Sequence, residues 1–335
     1  MWKLPWTPVL VVLWASPAQG QVNLEWRLKK GETFYAERID TQKQSVEIKS
    51  KSFMERRAKT WLNAITVKET TAAGYVLDVK VESVKFDMAG ERSRLSPPRP
   101  AGFEDRMAAR IQGSRFTIAL TRQGKLTRLQ GYDALIAKLA GKDGELENAL
   151  KVLLPEEALH DDIEGIFHFL PMTAVRKRDH WKRETTEPVP PFGSFQSAIE
   201  YTLEEDRGNE IPIGYTIKMA YKPPSGDGDF FRVIKGGLKG EEGKGKIVFD
   251  VQRGRLVTSE QMVRVRGELL VESMGKQVKL EFASDNTVRV RVFSKDEAKK
   301  DCMSPASGLN ISHCQVKINQ DLCVGSMLSG PSQRR

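Results

Sequence analysis

The sequence predicts a mainly β protein: antiparallel meanders forming two curved sheets or half-barrels, with a small helical block between them. Three observations carry that expectation. Apolar and polar residues alternate with a period of two in run after run, the pattern of half-buried strands. In the clearest run Phe195, Ser197, Ile199, Tyr201 and Leu203 fall on one face, and Gln196, Glu200, Thr202 and Glu204 on the other. Between residues 131 and 170 the period becomes helical, and Gly- and Pro-containing turns separate the alternating runs.

In chain order, Met1-Trp2-Lys3 is a short positive start and Leu4 to Trp14 is mostly apolar. Small residues then suit cleavage near Ala18 or Gly20. Residues 1–20 therefore read as a secretory signal peptide, since the apolar run is about half the ~20 residues that span a bilayer. The rest is expected to be exported, periplasmic or secreted, with no transmembrane segment.

Residues 21–130 read as an N-terminal β-meander half. Trp61, Ile65 and Val67 share a strand face with Asn63 as a polar exception, and Thr70 to Gly74 is a turn. Tyr75, Leu77, Val79 and Val81 share the next face. Val84 and Phe86 are out of phase with Val81, which calls for a bulge near Ser83 or burial of both faces. Residues 91–110, with Pro97, Pro98 and Pro100, read as a loop with a helical turn at Glu104–Ala109. Phe116, Ile118 and Leu120 form a strand that turns at Gly124 and pairs back through Leu126.

The helical block at 131–170 has stripes of Leu135, Leu139, Leu146, Leu150 and Leu153, then Leu159, Ile163, Ile166 and Phe167. Asp133 is a candidate cap and Gly141 a stop, Pro155 suits a first turn, and Pro171 ends the block. Its expected role is to cover a sheet. Residues 171–300 read as a C-terminal β half. A Leu-Pro break and a basic loop holding His180 come first, Trp181 follows, then the Pro188–Gly193 turn and the strand above. Strands around Ile213–Tyr221, Phe230–Ile234, Ile247–Val251, Val263–Val271, Val278–Phe282 and Val288–Val292 follow, with Gly236–Gly245 as a glycine- and charge-rich connection. The segments Gly113–Leu126 and Gly245–Leu256 resemble each other as strand, Gly-basic turn, strand. Residues 301–335 read as a disordered tail. It holds all three cysteines, Cys302, Cys314 and Cys323, an odd number that cannot fully pair within one chain, and the sequon Asn310-Ile311-Ser312.

No catalytic, cofactor or metal residues are assigned. His160, Asp161, Asp162, Glu164 and His168 cluster in sequence, but His160 and His168 lie too far apart on a helix to share an ion. Asp227 and Asp229 sit in a loop too poor in ligands for calcium. No Gly-x-Ser-x-Gly elbow occurs, and nothing in the spacing joins Ser194 to His180. The Gly236–Gly245 stretch fails the phosphate-loop spacing. The net charge of +9 mildly favours anionic partners. If their strands are neighbours, Arg264, Arg266, Arg289 and Arg291 form a face able to meet an anionic envelope component, or an ordinary solvated face paired with Glu268, Glu272 or Glu281. The aromatic interleaving of nucleic-acid binders is missing, so no nucleic acid is expected.

Several stretches resemble a family of exported bacterial proteins of unknown function, common in planctomycete-type bacteria. They are Leu24 to Phe34, Phe169-Leu170-Pro171 with Val175 and Asp179-His180-Trp181, Pro191-Phe192-Gly193 into Tyr201-Thr202-Leu203, and Phe249 to Leu256. The resemblance spans about residues 22–293. Where that family usually has Gly before its Asp-x-Trp, this chain has Arg178. The resemblance implies an exported, mostly β protein and carries no catalytic residues over. The leading expectation is a non-enzymatic binding or scaffold protein of the cell envelope. It would hold an apolar or amphiphilic ligand between a curved sheet and the helices. A hydrolase with an unrecognised site and an oligomeric interaction module are the alternatives.

Overall fold

The computed structural model describes residues 21–49, 51–90, 102–142, 144–153, 155–188, 193–204, 208–224, 232–273 and 276–297. The expected leader at 1–20, Pro97, Pro98 and Pro100, Asp227 and Asp229, and residues 301–335 with the cysteines and sequon lie outside the described residues. The chain runs β1 (Thr33–Ile48), β2 (Lys51–Thr70), β3 (Gly74–Gly90), α1 (Phe103–Ile111), β4 (Arg115–Thr121) and β5 (Leu126–Gln130). Three helices follow, α2 (Tyr132–Ala140), α3 (Gly144–Leu153) and α4 (Glu156–Phe167). The second meander is β6 (His180–Pro188), β7 (Ser194–Leu203), β8 (Glu210–Lys222), β9 (Arg232–Asp250), β10 (Arg255–Ser273) and β11 (Lys276–Ser294).

The two meanders are halves of one antiparallel sheet, ordered β5-β4-β3-β2-β1-β11-β10-β9-β8-β7-β6. The expected pair of sheets is a single one because β1 and β11 pair from Phe34↔Ser294 to Ile48↔Leu280. That contact joins residues over 230 apart in sequence, and strand periodicity carries no information about it. The sheet is not closed, since β5 and β6 are edges that do not pair with each other.

The sheet nevertheless curls. Helix α4 packs against both edges, β5 and β6, and its Asp162 reaches Arg38 on the central strand β1 at 3.1 Å. Ten inter-strand steps between eleven strands would set the edges about 48 Å apart if the sheet were flat. A helix about 10–12 Å wide touches both only if the sheet wraps round it. The face towards α4 is the inner face. Opposed residues share a face, so inward β1 positions Arg38, Asp40 and Gln42 align with Trp61, Lys59 and Arg57 of β2 and with Val290, Val288 and Asn286 of β11.

The phase change after Val81 is a bulge. Leu62 opposes Ser83 while Asn63 opposes Val81, which leaves Glu82 as the extra residue and turns Val84 and Phe86 inward. Helices α1 to α3 cover that region, with Ile111, Ile136, Leu139 and Leu150 packed against Val81 and Phe116. Residues 103–111 form a full helix, where the sequence suggested one turn in a loop. Gly131 at φ 104°, not Asp133, precedes α2; Asp133 sits in the first turn, where its charge suits the helix dipole.

Gly236–Gly245, expected to be a connection, lies inside the 19-residue strand β9. Its glycines make room. A Cβ on Gly243 would stand 2.7 Å from Ile217, and one on Gly245 would collide with the Tyr215 ring. The large inward residues of β8 lean across β9, a close approach that only glycine permits. Gly245→Ala is therefore expected to cost about 1–3 kcal/mol through overpacking, measured by urea unfolding. An unchanged midpoint would mean that Tyr215 yields freely.

Residues 180–188, lying between the expected basic loop and the Pro-rich turn with no strand expected there, form edge strand β6 paired along its length with β7. It is entered through Arg178 at φ 69°, a left-handed position that disfavours a side chain. The Arg178 backbone N–H donates to the Leu203 carbonyl at 2.9 Å, which fixes the turn. Arg178→Gly relieves that strain at some cost in unfolded-chain entropy. A net gain of about 0.5–1 kcal/mol is expected, readable as a raised urea midpoint; a lower midpoint would contradict it.

Candidate functional site

The curled sheet has a packed end and a polar belt. At the packed end the segment Leu24–Leu28 runs across the strand termini with Leu24, Trp26 and Leu28 buried. Trp26 meets the rings of Phe167, Phe169 and Phe249 at 5.2–5.8 Å, and its indole N–H donates to the Phe167 carbonyl at 2.9 Å. Tyr75 donates its hydroxyl to the Trp26 carbonyl. The two glycine turns that look alike in sequence both abut this segment. A Cβ on Gly124 would crowd Trp26 and Phe167, and one on Gly254 would crowd Arg27. Trp181 bonds the Phe169 carbonyl at 2.8 Å and stacks on Tyr201 with ring centroids 5.5 Å apart. Of the motifs that carried the family resemblance, Leu24–Leu28, Phe169, Trp181 with Tyr201, and Phe249 thus meet in one aromatic plug, while Gly193 lies at the other end of β7 beside Lys222 and residues 191–192 lie outside the described residues.

Helix α4 closes the seam between the two edges through one carboxylate. Glu164 accepts from the Leu126 backbone N–H of β5 at 3.0 Å and from Arg183 of β6 at 2.7 Å. His168 Nδ1 lies 3.2 Å from the same Glu164 oxygen as Arg183. Arg183 also donates to the Glu164 and His168 carbonyls at 3.2 and 2.6 Å; the first also accepts from the His168 N–H, and the second lies past the helix end, where carbonyls lack helical partners. Burial alone raises the Glu164 pKa, but the His168 hydrogen bond, the Arg183 charge and the Leu126 N–H outweigh it, and the net shift is downward. Burial and the neighbouring Arg183 lower His168. A histidine beside a carboxylate is a common acid–base arrangement. Here Glu164 is committed to the two sheet edges, and the pair works as a clasp.

Beyond the clasp the inner face becomes polar. Arg38 bonds Asp40 at 2.8 Å and reaches Asp162 at 3.1 Å. Gln42 donates to Ser284 at 3.2 Å, and Arg57 pairs with Glu55 at 2.6 Å. Glu187 faces inward near the end of β6 and its side chain is exposed. The protein crowded around its carboxylate and nearby Asp162 raise its pKa, against the pull of Arg38. A cleft of about 450 Å³ lies over β6–β8, with Thr185, Ser197 and Met219 in its wall.

The sequence candidates are dispersed. Arg264, Arg266, Arg289 and Arg291 do share the outer face of β10 and β11, as their register requires. Carboxylates other than the expected ones stand beside them. Arg264 pairs with Glu242 at 3.0 Å, Arg266 with Asp285 at 2.6 Å and Arg289 with Glu260 at 2.9 Å, while Arg291 lies over the Phe293 ring. That face is a lattice of opposite charges. His180 bonds Thr202 at 2.8 Å, and Ser194 pairs with Pro188 at the far end of β6. Among the described residues no three His, Cys, Asp or Glu side chains converge as a metal group, and no helix is long and apolar enough to cross a membrane. The clasp was hidden because Glu164 and Arg183 sit on separate elements. The belt had a sequence signal: inward positions of β1 that are polar.

A family model described as a family of unknown function (DUF6263) matches residues 72–250. The chain belongs to that family. The matched span of this family member runs from the β2–β3 turn through α4 to the end of β9. No curated protein matches the chain. A lipovitellin structure, described by its lipid–protein interactions, is similar at 9% identity and a TM-score of 0.43, covering 79% of this chain and 25% of that one. This chain thus spans about a quarter of the lipovitellin chain. An outer membrane channel from Pseudomonas putida F1 is similar at 10% identity and TM-score 0.24, covering 81% and 98%. A DUF1329 family protein from Desulfovibrio piger ATCC 29098 is similar at 10% identity and TM-score 0.20, covering 79% and 86%. These likenesses carry no argument about function.

Proposed function

We propose that the chain is an exported, non-enzymatic carrier of the cell envelope that holds an amphiphilic ligand inside the curled sheet. Export rests on the leader at 1–20. The observation that carries the ligand-holding role is the split character of the inner face. A sheet face buried in a dry core does not place Arg38, Asp40, Gln42 and Gln44 at successive inward positions. Opposite and beside that belt the inner wall is apolar and only partly buried at Ile199, Met219, Tyr221, Phe282 and Val288. A wet polar belt against incompletely covered apolar side chains suits a molecule with one charged or polar end and one greasy end.

The test is non-denaturing purification of the full chain from an export compartment, followed by solvent extraction and mass spectrometry. One amphiphile recovered at near one molecule per chain is the expected result. Repeated recovery of a ligand-free monomer, with no uptake of added amphiphiles, would overturn the carrier role.

A further inference from the structure

We infer that the charged end of the ligand is an anion, and that Arg57 and Lys59 on β2 hold a long-chain carboxylate with its chain running toward the helical block. The inference rests on the carrier role and adds the sign and place of the head group. Arg57 and Lys59 occupy consecutive inward positions of β2, opposite Gln42 and Asp40 of β1. Arg57 spends one terminal nitrogen on Glu55 at 2.6 Å. Its Nε is the one buried side-chain nitrogen or oxygen without a hydrogen-bond partner among the described residues. A buried guanidinium N–H with no acceptor is costly and calls for an explanation. The planar fork of arginine presents Nε and a terminal nitrogen together to a carboxylate.

Lys59 supplies the second charge. It makes no ion pair among the described residues, and its ammonium lies 4.8 Å from the centre of the Trp61 ring. Asp40, the carboxylate opposite it, is already bonded by Arg38. On the far side of β2 the same two residues face an apolar strand, with Lys59 opposite Phe86 and Arg57 opposite Met88. Trp61 and Phe86 meet edge to face at 6.5 Å and continue into the cluster under α1 to α3. Two cations therefore stand at the rim of an apolar strip that leads beneath the helices. An anionic head with an alkyl tail matches both parts: Arg57, although paired with Glu55, keeps an Nε–H without an acceptor, and Lys59 adds a second cation that makes no ion pair among the described residues.

The test uses oleate, its uncharged methyl ester and dodecyltrimethylammonium, each titrated into the full chain below its micelle concentration. Oleate is expected to bind about tenfold or more tightly than methyl oleate, and the cationic probe weakest. Arg57→Gln with Lys59→Gln should bring oleate down to the level of the ester and leave the ester within about twofold, since the strip is untouched. Lys43→Gln, on the outer face, should change neither. Arg57→Lys keeps the charge without the fork and should fall between, which separates loss of the head-group site from loss of the fold. Equal binding of oleate and ester, preference for the cationic probe, or oleate binding untouched by the double substitution would each overturn this inference and leave the carrier role standing. Binding of none of the three would overturn both.

Discussion

Arg183→Met unfolds at a markedly lower urea concentration than the parent, with an expected loss of about 3–5 kcal/mol. Removing one partner of a buried pair leaves the other charge without compensation, and both side chains are largely covered, at 13% exposure for Arg183 and 9% for Glu164. The substitution also removes the donor to two carbonyls at the end of α4. The same network sets an acid limit. His168 has a lowered pKa in the fold, so below its ordinary 6.5 the unfolded chain takes up the proton first and stability falls with pH. Glu164 is also lowered, from an ordinary 4.5. Its contribution is complete above that value and is lost as pH drops through the folded one. Arg183 helps to lower both groups, so the variant should lose less stability than the parent between pH 7 and pH 3. Equal slopes would contradict the clasp.

Trp26→Ala is expected to cost about 3–5 kcal/mol, the range for truncating a buried aromatic side chain. Trp26 is 2% exposed and touches Phe167 and Phe169 around the end of α4 and Phe249 of β9, so it ties the helical block to the second meander. Trp26→Phe keeps most of the apolar area and loses the N–H to the Phe167 carbonyl, so a smaller loss of about 1–2 kcal/mol follows. If Phe cost as much as Ala, the hydrogen bond would dominate over the packing.

Much of the sheet was legible from alternation, because each strand has one dry face somewhere along it. The turn before Gly74, the irregularity near Ser83 and the faces of β7 and β8 all followed from period-two patterns. Strand β6 was lost because its inward residues are Trp181, Arg183, Thr185 and Glu187: the site's polarity erased the signal of the strand that carries it. The two ends of β9 were legible at Ile234 and Ile247–Phe249, but its middle was lost because glycine usually marks a turn, whereas Gly243 and Gly245 leave space for Ile217 and Tyr215. The β1–β11 pairing, the curl and the Glu164–Arg183 contact are long-range, and no local period encodes them. The sequence cluster of His160, Asp161, Asp162, Glu164 and His168 holds a true contact, His168 with Glu164, but gives no sign that Glu164 is the acceptor between two sheet edges.

The belt can be probed directly because the cysteines all lie in the tail. With Cys302, Cys314 and Cys323 changed to Ser, a single cysteine is placed at inward Gln44 or outward Lys43 and maleimide labelling rates are measured with and without oleate. A wet, ligand-holding interior predicts that Gln44→Cys labels readily in the free protein and slowly with oleate bound, while Lys43→Cys labels at one rate throughout. A Gln44→Cys thiol that reacts only after unfolding, or one that oleate leaves unprotected, would contradict it.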